Sequence, residues 1–172
     1  EQVTSDSDLI ELLPIPTIAI NSAGIGHVDS ELDIDGICRR IYLYAGLGDA
    51  HWPALGLALY QNYLEVQADL PFDTDQSAPA GSGWLRKTPF LIPFSGPPGH
   101  IPRYSYIDVL NGKVGAEELA GKIALVGATA VGMGDAISTP VSGHHQRMPG
   151  VELNANVTAA LLASKFIHEA PI

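Results

Sequence analysis

Apolar side chains recur every three or four positions between residues 52 and 66, which is the spacing of one face of a helix. The apolar positions are Trp52, Leu55, Leu59 and Tyr63, and the polar positions are Gln61, Asn62 and Glu65. A second helix is predicted over residues 150–165, where Pro149 begins a segment that is apolar on much of its surface. We therefore expect this second helix to be largely buried.

Strand patterns occur on both sides of the first helix. Residues 122–127 form a continuous apolar run of the kind found in buried parallel strands. Residues 37–44 alternate well enough for a strand, and with residues 25–29 they suggest a hairpin. Residues 90–94 are a further short strand. The pattern thus predicts an α/β fold, a mixed sheet with flanking helices and a Rossmann-like strand, loop and helix near the C-terminus.

The remaining segments are shorter and join these elements into one predicted domain over residues 1–172. Residues 105–110 and 117–120 are predicted as short helices, and residues 17–23 fit either a short helix or a strand. Residues 73–83 are polar and rich in Ser, Ala, Pro and Gly, which predicts a loop. Residues 1–16 are expected to be an extended or disordered lead-in.

The charge of the chain excludes two classes of partner. It has 19 Asp and Glu against nine Lys and Arg, a formal net charge of −10. A nucleic-acid binder needs clustered basic residues to neutralise phosphates, and an anionic membrane surface attracts the same residues. No such cluster occurs in the sequence. No run reaches the roughly 18 apolar residues of a membrane span, so any membrane attachment is expected from segments outside this chain.

Candidate chemistry is sparse. Residues 127–135 form a glycine-rich loop, but its glycines match neither the dinucleotide fingerprint nor the lysine-bearing phosphate loop. Asp135 could bind a ligand there or tie down the loop. His144 and His145 have no third metal ligand at a convincing spacing, and no Gly-x-Ser-x-Gly elbow supports a hydrolase. Cys38, the single cysteine, is most simply a small apolar filler. We therefore predict no catalytic site and no metal site.

Two adjacent arginines are better candidates. In a strand, Arg39 and Arg40 point to opposite faces. One could pair with a carboxylate of the chain, or its guanidinium could hold an anionic ligand with two parallel hydrogen bonds. The carboxylates considered are Asp33, Asp35 and Glu152.

Four short motifs follow one another across most of residues 24–163. The first, over residues 26–40, contains Gly-His-Val and then Asp-Ile-Asp-Gly-Ile-Cys-Arg-Arg. The second, over residues 104–112, is a short helical segment ending in Leu-Asn-Gly. The third, over residues 119–140, contains Leu-Ala-Gly-Lys-Ile-Ala-Leu-Val-Gly and continues to Thr-Pro. The fourth, over residues 149–155, is Pro-Gly-Val-Glu-Leu-Asn-Ala.

In their order and spacing these motifs resemble the second type of the CHASE sensor family, extracellular sensory domains associated with cyclases and histidine kinases. The fourth motif is similar to the family's Pro-Gly-Val-Glu-x-His-Ala, with Asn154 at the position of the His. A Trp-Pro-Trp-Pro-Arg-like segment from the family's N-terminal portion has no counterpart here. The chain therefore resembles the C-terminal part of that domain.

The resemblance implies an extracytoplasmic sensor domain of a bacterial transmembrane receptor. Such a receptor would relay a stimulus to a cytoplasmic histidine kinase, nucleotide cyclase or diguanylate cyclase, through movement of the helix over residues 150–165. We expect a homodimer that responds to a small molecule or an environmental signal, with no cofactor and no enzymatic activity of its own.

Polar residues of the four motifs are the candidates for ligand binding, on the expectation that they face a shared cleft. They are Arg39, Arg40, Thr129, Asp135, Glu152 and Asn154. Two other functions remain open at this point: a nucleotide- or phosphate-binding α/β enzyme, and a dimerisation module without a small ligand.

Overall fold

The computed structural model describes residues 10–65, 83–130, 136–143 and 146–168. Its helices and strands, in chain order, are α1 (Pro16–Ala19), β1 (Arg40–Leu47), β2 (Trp52–Pro53), α2 (Leu55–Leu64), β3 (Trp84–Leu91), α3 (Tyr106–Leu110), α4 (Ala116–Leu119), β4 (Ala136–Ile137), β5 (Met148–Pro149) and α5 (Gly150–Leu162). The mixture of helices and sheet confirms the predicted α/β class.

The larger sheet has three antiparallel strands in the order β2-β1-β3. Strand β1 lies in the centre, and its Tyr44 is opposite Pro53 of β2 and Lys87 of β3. Its alternating side chains Ile41 and Leu43 are buried in the core. Strands β4 and β5 form a second, two-stranded antiparallel sheet.

Two helices complete the core. Helices α2 and α5 pack against each other, and α5 is buried along most of its length, as its apolar sequence predicts. The fully buried residues of the core include Leu57 of α2, Val157 and Leu161 of α5, Leu43 of β1, Met148 of β5, and Cys38 just before β1. Cys38 is thus the predicted apolar filler, and its burial raises the pKa of the thiol to about 11.

The start of α2 is joined to a segment that precedes the sheet. The His27 N–H donates to the Pro53 carbonyl at 2.8 Å, and the Leu55 N–H donates to the His27 carbonyl at 2.8 Å. The second bond satisfies an N–H at the helix start, where no carbonyl of the helix itself can serve. This pairing places His27 beside Ala54 in a single parallel bridge. Residues 25–29 therefore form no strand, and the predicted hairpin is reduced to one antiparallel bridge between Glu31 and Arg40.

The strand predicted over residues 122–127 is also wrong. These residues belong to no strand, and most of their side chains are exposed, with Val126 at 79%. An apolar run forms a buried strand only where a neighbouring strand accepts its hydrogen bonds, and no described strand lies against it. Residues 131–135, the centre of the predicted glycine-rich loop, lie outside the described residues. The Rossmann-like arrangement is therefore not confirmed.

Other boundaries shift by a few residues. Strand β3 begins at Trp84 rather than at residue 90, and α2 begins at Leu55 because Trp52 and Pro53 pair with β1. Helix α5 ends at Leu162, three residues early. Helices α3 and α4 are confirmed to within a residue, and residues 16–19 take the helical alternative. The predicted loop over residues 73–82 and the lead-in over residues 1–9 lie outside the described residues.

Gly56 sets the distance between α2 and α5. A Cβ atom at this position would lie 2.7 Å from Val157 Cγ1 and 3.2 Å from the Asn154 carbonyl oxygen. Both contacts are closer than packed atoms tolerate, so the two helices can approach this closely only because residue 56 has no side chain.

Replacing Gly56 by Ala is expected to lower the free energy of unfolding by about 1 kcal/mol. Overpacking against Val157 costs about 1–3 kcal/mol, which exceeds the gain of about 1 kcal/mol in helix propensity. Urea denaturation measures the change, and the double variant Gly56→Ala, Val157→Ala should destabilise by less than the sum of its single changes. A Gly56→Ala variant more stable than the wild type would contradict the close contact.

Candidate functional site

A cavity of about 560 Å³, open to solvent, lies between the chain before α1 and the larger sheet, and it contacts both outer strands of that sheet. Its lining comes from residues 10–14 and 25–29 and from one tryptophan on each of β2 and β3. The lining residues are Ile10, Glu11, Leu12, Leu13, Pro14, Ile25, Gly26, His27, Asp29, Trp52 and Trp84. A concave, mostly apolar volume of this size with a few polar groups is typical of small-molecule sites.

The two carboxylates in the cavity are each held by a tryptophan. Glu11 accepts hydrogen bonds from the Leu47 N–H at 2.7 Å and from Trp52 Nε1 at 3.0 Å. Asp29 accepts a hydrogen bond from Trp84 Nε1 at 2.9 Å. Each indole N–H is therefore satisfied by a carboxylate, and this bond fixes the position of the ring.

Asp29 also binds a guanidinium. Arg86 Nε donates to Asp29 Oδ2 at 2.6 Å, and its second nitrogen donates to Asp29 Oδ1 at 3.0 Å. Burial by itself raises the pKa of Asp29, but the hydrogen bonds from Arg86 and Trp84 together outweigh it and hold the pKa below its ordinary value. The negative charge of Asp29 is thus matched by a positive charge outside the cavity lining.

The other two titratable groups of the cavity differ in charge. The hydrogen bond from the Leu47 N–H, followed by that from Trp52, holds the pKa of Glu11 below its ordinary value, so Glu11 is ionised at neutral pH. Burial lowers the pKa of His27 against the opposing charge of Asp29, so its ring is neutral. His27 Nδ1 accepts the Asp29 N–H at 3.2 Å.

A second polar cluster, the α5 anchor, joins Glu152 and Asn156 of α5 to the turn over residues 95–99. Asn156 Oδ1 accepts hydrogen bonds from the Ser95 N–H at 2.9 Å and from the Ser95 hydroxyl at 2.8 Å. Glu152 Oε1 accepts the Gly99 N–H at 2.7 Å. Both α5 side chains are buried, and Asn156 is only 2% exposed. The turn is thus bound to the helix at two points, one turn of helix apart.

The predicted site residues on α5 are placed differently. The second oxygen of Glu152, Oε2, is buried with no hydrogen-bond partner among the described residues. The side-chain amide of Asn154 donates to the backbone carbonyl of Gly150 at 2.9 Å within the helix. The backbone carbonyl of Asn154 accepts a hydrogen bond from the Thr158 hydroxyl. Glu152 therefore reaches another segment of the chain, whereas Asn154 serves the helix itself.

The arginine candidates form a cluster of their own. Arg39 pairs with Asp33 and Asp35, both at 2.7 Å. The hydrogen bonds that Arg39 donates to these two carboxylates raise its pKa, and the bonds to Asp35 are the larger cause. Arg40 Nε lies 3.8 Å from Oδ1 of Asp33, whereas Arg39 contacts Oδ2 of the same carboxylate. The structure therefore brings Arg39 and Arg40 together around Asp33, in the carboxylate pairing that the sequence left as one alternative.

The remaining candidates do not join this cluster. Thr129 lies on the exposed stretch after residue 127, and Asp135 falls outside the described residues. No hydrogen bond or ion pair between described residues links the arginines to Glu152, Asn154 or Thr129. Ligand binding at these six positions remains a prediction. Among the described residues no group of three His, Cys, Asp or Glu could hold a metal ion, and His144 and His145 lie outside them.

No sequence pattern predicted that the residues of the cavity come together. Trp52 is 41 residues from Glu11, and Trp84 is 55 residues from Asp29. No motif or periodicity connects positions so far apart. The only available signal was that the chain has two tryptophans and 19 acidic residues, which does not pair any of them.

Comparison with known proteins assigns the family. The model of the CHASE2 domain matches residues 2–172, nearly the whole chain, so the chain belongs to the CHASE2 domain family. This is a family of extracellular sensory domains. No curated protein and no solved structure matches the chain significantly. Within the part of the chain that the structure describes, no helix has the length and apolar character needed to cross a bilayer.

Replacing Asp29 by Asn is expected to lower the free energy of unfolding at pH 7 by about 1–3 kcal/mol, because Arg86 loses its charged acceptor. The pKa of Asp29 is lower in the folded than in the unfolded chain, so the unfolded chain binds the proton first as the pH falls. The stability from ionised Asp29 is therefore complete above the ordinary pKa of 3.8 and is lost as the pH falls through the lowered one.

Urea denaturation between pH 2 and pH 7 tests this dependence, with Asp49→Asn as the control. Asp49 also pairs with a basic residue, Lys87, but its side chain is 66% exposed, so its loss should matter much less. A constant difference between wild type and Asp29→Asn across the whole pH range would show that the Asp29 charge contributes nothing.

Proposed function

We propose that this CHASE2 domain is the signal-input domain of a bacterial transmembrane receptor, and that α5 carries its output towards a cytoplasmic histidine kinase, nucleotide cyclase or diguanylate cyclase. The observation that carries the proposal is the α5 anchor. It binds the last helix of the domain to the turn over residues 95–99 through three buried or half-buried hydrogen bonds.

Buried polar contacts suit a switch because they are satisfied in few arrangements. If α5 slides or rotates, the acceptors on the buried side chains of Asn156 and Glu152 lose their donors, and each unsatisfied buried group costs about 1–3 kcal/mol. A helix held in this way has discrete positions rather than a continuous range. A stimulus that favours one position over another then shifts the population between them.

The cavity supplies an input next to the start of α2. Trp52, in its wall, lies three residues before α2. Helix α2 in turn contacts α5 at Gly56. A ligand that displaces Trp52 would therefore act on the chain segment that leads directly into α2, and α2 would pass the displacement to α5.

The homodimer expected from the sequence forms part of the proposal. Helix α3 has no buried residue, and its Tyr106, Ile107 and Leu110 are 57–63% exposed. Several large apolar side chains on one short exposed helix are typical of a surface that another molecule covers. A second copy of the domain is the partner that a dimeric receptor supplies.

The test uses the full-length receptor in membranes and measures its kinase or cyclase output. Asn156→Ala removes the acceptor of the two Ser95 hydrogen bonds, so α5 should change position and the basal output should change at least threefold. Ala159→Ser, on the exposed face of the same helix, is the matched control and should behave as the wild type. Equal outputs from the two variants, with both proteins folded, would refute transmission through the anchor.

A further inference from the structure

The cavity has an unusual combination of aromatic, apolar and acidic groups. Both tryptophans of the chain, Trp52 and Trp84, lie in its wall. The remaining wall is mostly aliphatic and open to solvent, since Leu12 is 89% exposed; it is formed by Ile10, Leu12, Leu13, Pro14 and Ile25. Aromatic rings attract cations through their negative faces, most strongly in the case of tryptophan. The wall therefore accommodates an apolar body and offers two rings to a positive charge.

The two carboxylates of the cavity differ in whether a basic residue pairs with them. Asp29 is matched by Arg86, and the His27 ring is neutral. Glu11 receives hydrogen bonds only from uncharged donors, the Leu47 N–H and the Trp52 indole, and no described Lys or Arg pairs with it. The cavity thus holds one carboxylate charge that no described Lys or Arg matches, and the nearby His51 has the smallest of the effects that its neighbours have on the pKa of Glu11. The acidic chain around it, at −10, adds to the same potential.

The Glu11 carboxylate retains capacity for a ligand. An ionised carboxylate has about four acceptor positions, of which the Leu47 N–H and the Trp52 indole use one on each oxygen. A positively charged ligand in the cavity can therefore approach Glu11 without breaking the bonds that position it.

We infer that this cavity binds a small organic cation with an apolar body, an alkylammonium or arylammonium ion. Its charge lies near Glu11 and the tryptophan rings, and its apolar part contacts the aliphatic wall. An anionic ligand would meet the Glu11 charge, and a neutral ligand would leave it unmatched. The inference rests on the proposed function only in taking this cation as the signal, because binding itself is independent of any receptor output.

The tryptophans provide a direct measurement on the 172-residue chain. Benzyltrimethylammonium, benzyl alcohol and phenylacetate share a phenyl ring and differ in charge, so titrating each one and following tryptophan fluorescence separates the charge from the apolar contact. Benzyltrimethylammonium should bind at least tenfold more tightly than either of the other two. Equal affinities for the three compounds, or no fluorescence change up to 10 mM of the cation, on the order of the weakest specific affinities, would overturn the inference.

A substitution at Glu11 tests whether its carboxylate holds the cation. Glu11→Gln keeps an oxygen acceptor for one of its two donors and removes the charge, and it should weaken benzyltrimethylammonium binding at least tenfold. Glu117→Gln removes one negative charge from the exposed surface of α4 and should bind as the wild type. Equal weakening by both variants would show general attraction to an acidic protein and no site at Glu11. The comparison of the three compounds on the wild type stands even if Glu11→Gln does not fold.

The proposed signal transmission through α5 and the inferred cation site can be refuted independently of each other. Cation binding at Glu11 without any effect of benzyltrimethylammonium on the full-length receptor would support the site and refute this ligand class as its signal. An output that depends on Asn156, with no cation binding, would support transmission through α5 and refute the cation site.

Discussion

The close contact between α2 and α5 at Gly56 is the constraint on which the rest of the structure depends. Because residue 56 has no side chain, Val157 and the Asn154 carbonyl of α5 can lie directly against α2. The face of α5 that carries Glu152 and Asn156 is buried as well, and a buried polar face must find partners in the protein. The turn over residues 95–99 supplies those partners.

The same end of α2 also fixes the cavity. The first turn of the helix is bound to His27, and β2 immediately before it carries Trp52. Residues 25–29 and Trp52 are thereby held side by side, and Trp84 of β3 closes the wall through its hydrogen bond to Asp29. The segment that forms the cavity and the contact with α5 thus meet at the first turn of α2. A chain of direct contacts runs from Trp52 through α2 to α5, and it can couple an input at the cavity to an output at α5.

Sequence patterns predicted the elements whose stability is local. The helical spacing of residues 52–66 and the apolar character of residues 150–165 identified α2 and α5, since a helix satisfies its own backbone and needs only one or more buried faces. The strand over residues 122–127 failed for the opposite reason, because a strand depends on a neighbour that no pattern of its own reveals. Likewise, Trp52 was predicted as the start of the helix, but Trp52 and Pro53 form β2 because they pair with β1.

The site was harder to predict than the fold. Arg39 and its partners Asp33 and Asp35 lie within six residues, and the sequence named that pairing as an alternative. Glu11 and Trp52 meet only because the fold brings distant segments together, and neither belongs to a recognised motif. Family motifs identified the sensor class, whereas the cavity and the α5 anchor depend on tertiary contacts that only the structure shows.

Hydrogen exchange at individual backbone amides tests the central claim, that the turn over residues 95–99 and α5 move as one unit. The Ser95 and Gly99 amides donate to side chains of α5, so they should exchange with the same opening free energy as amides in the middle of that helix. Asn156→Ala should remove the protection at Ser95 while α5 keeps its own. If the Ser95 and Gly99 amides of the wild type exchange at the rate of an open loop, the anchor does not bind the turn, and the account of α5 as the output element is wrong.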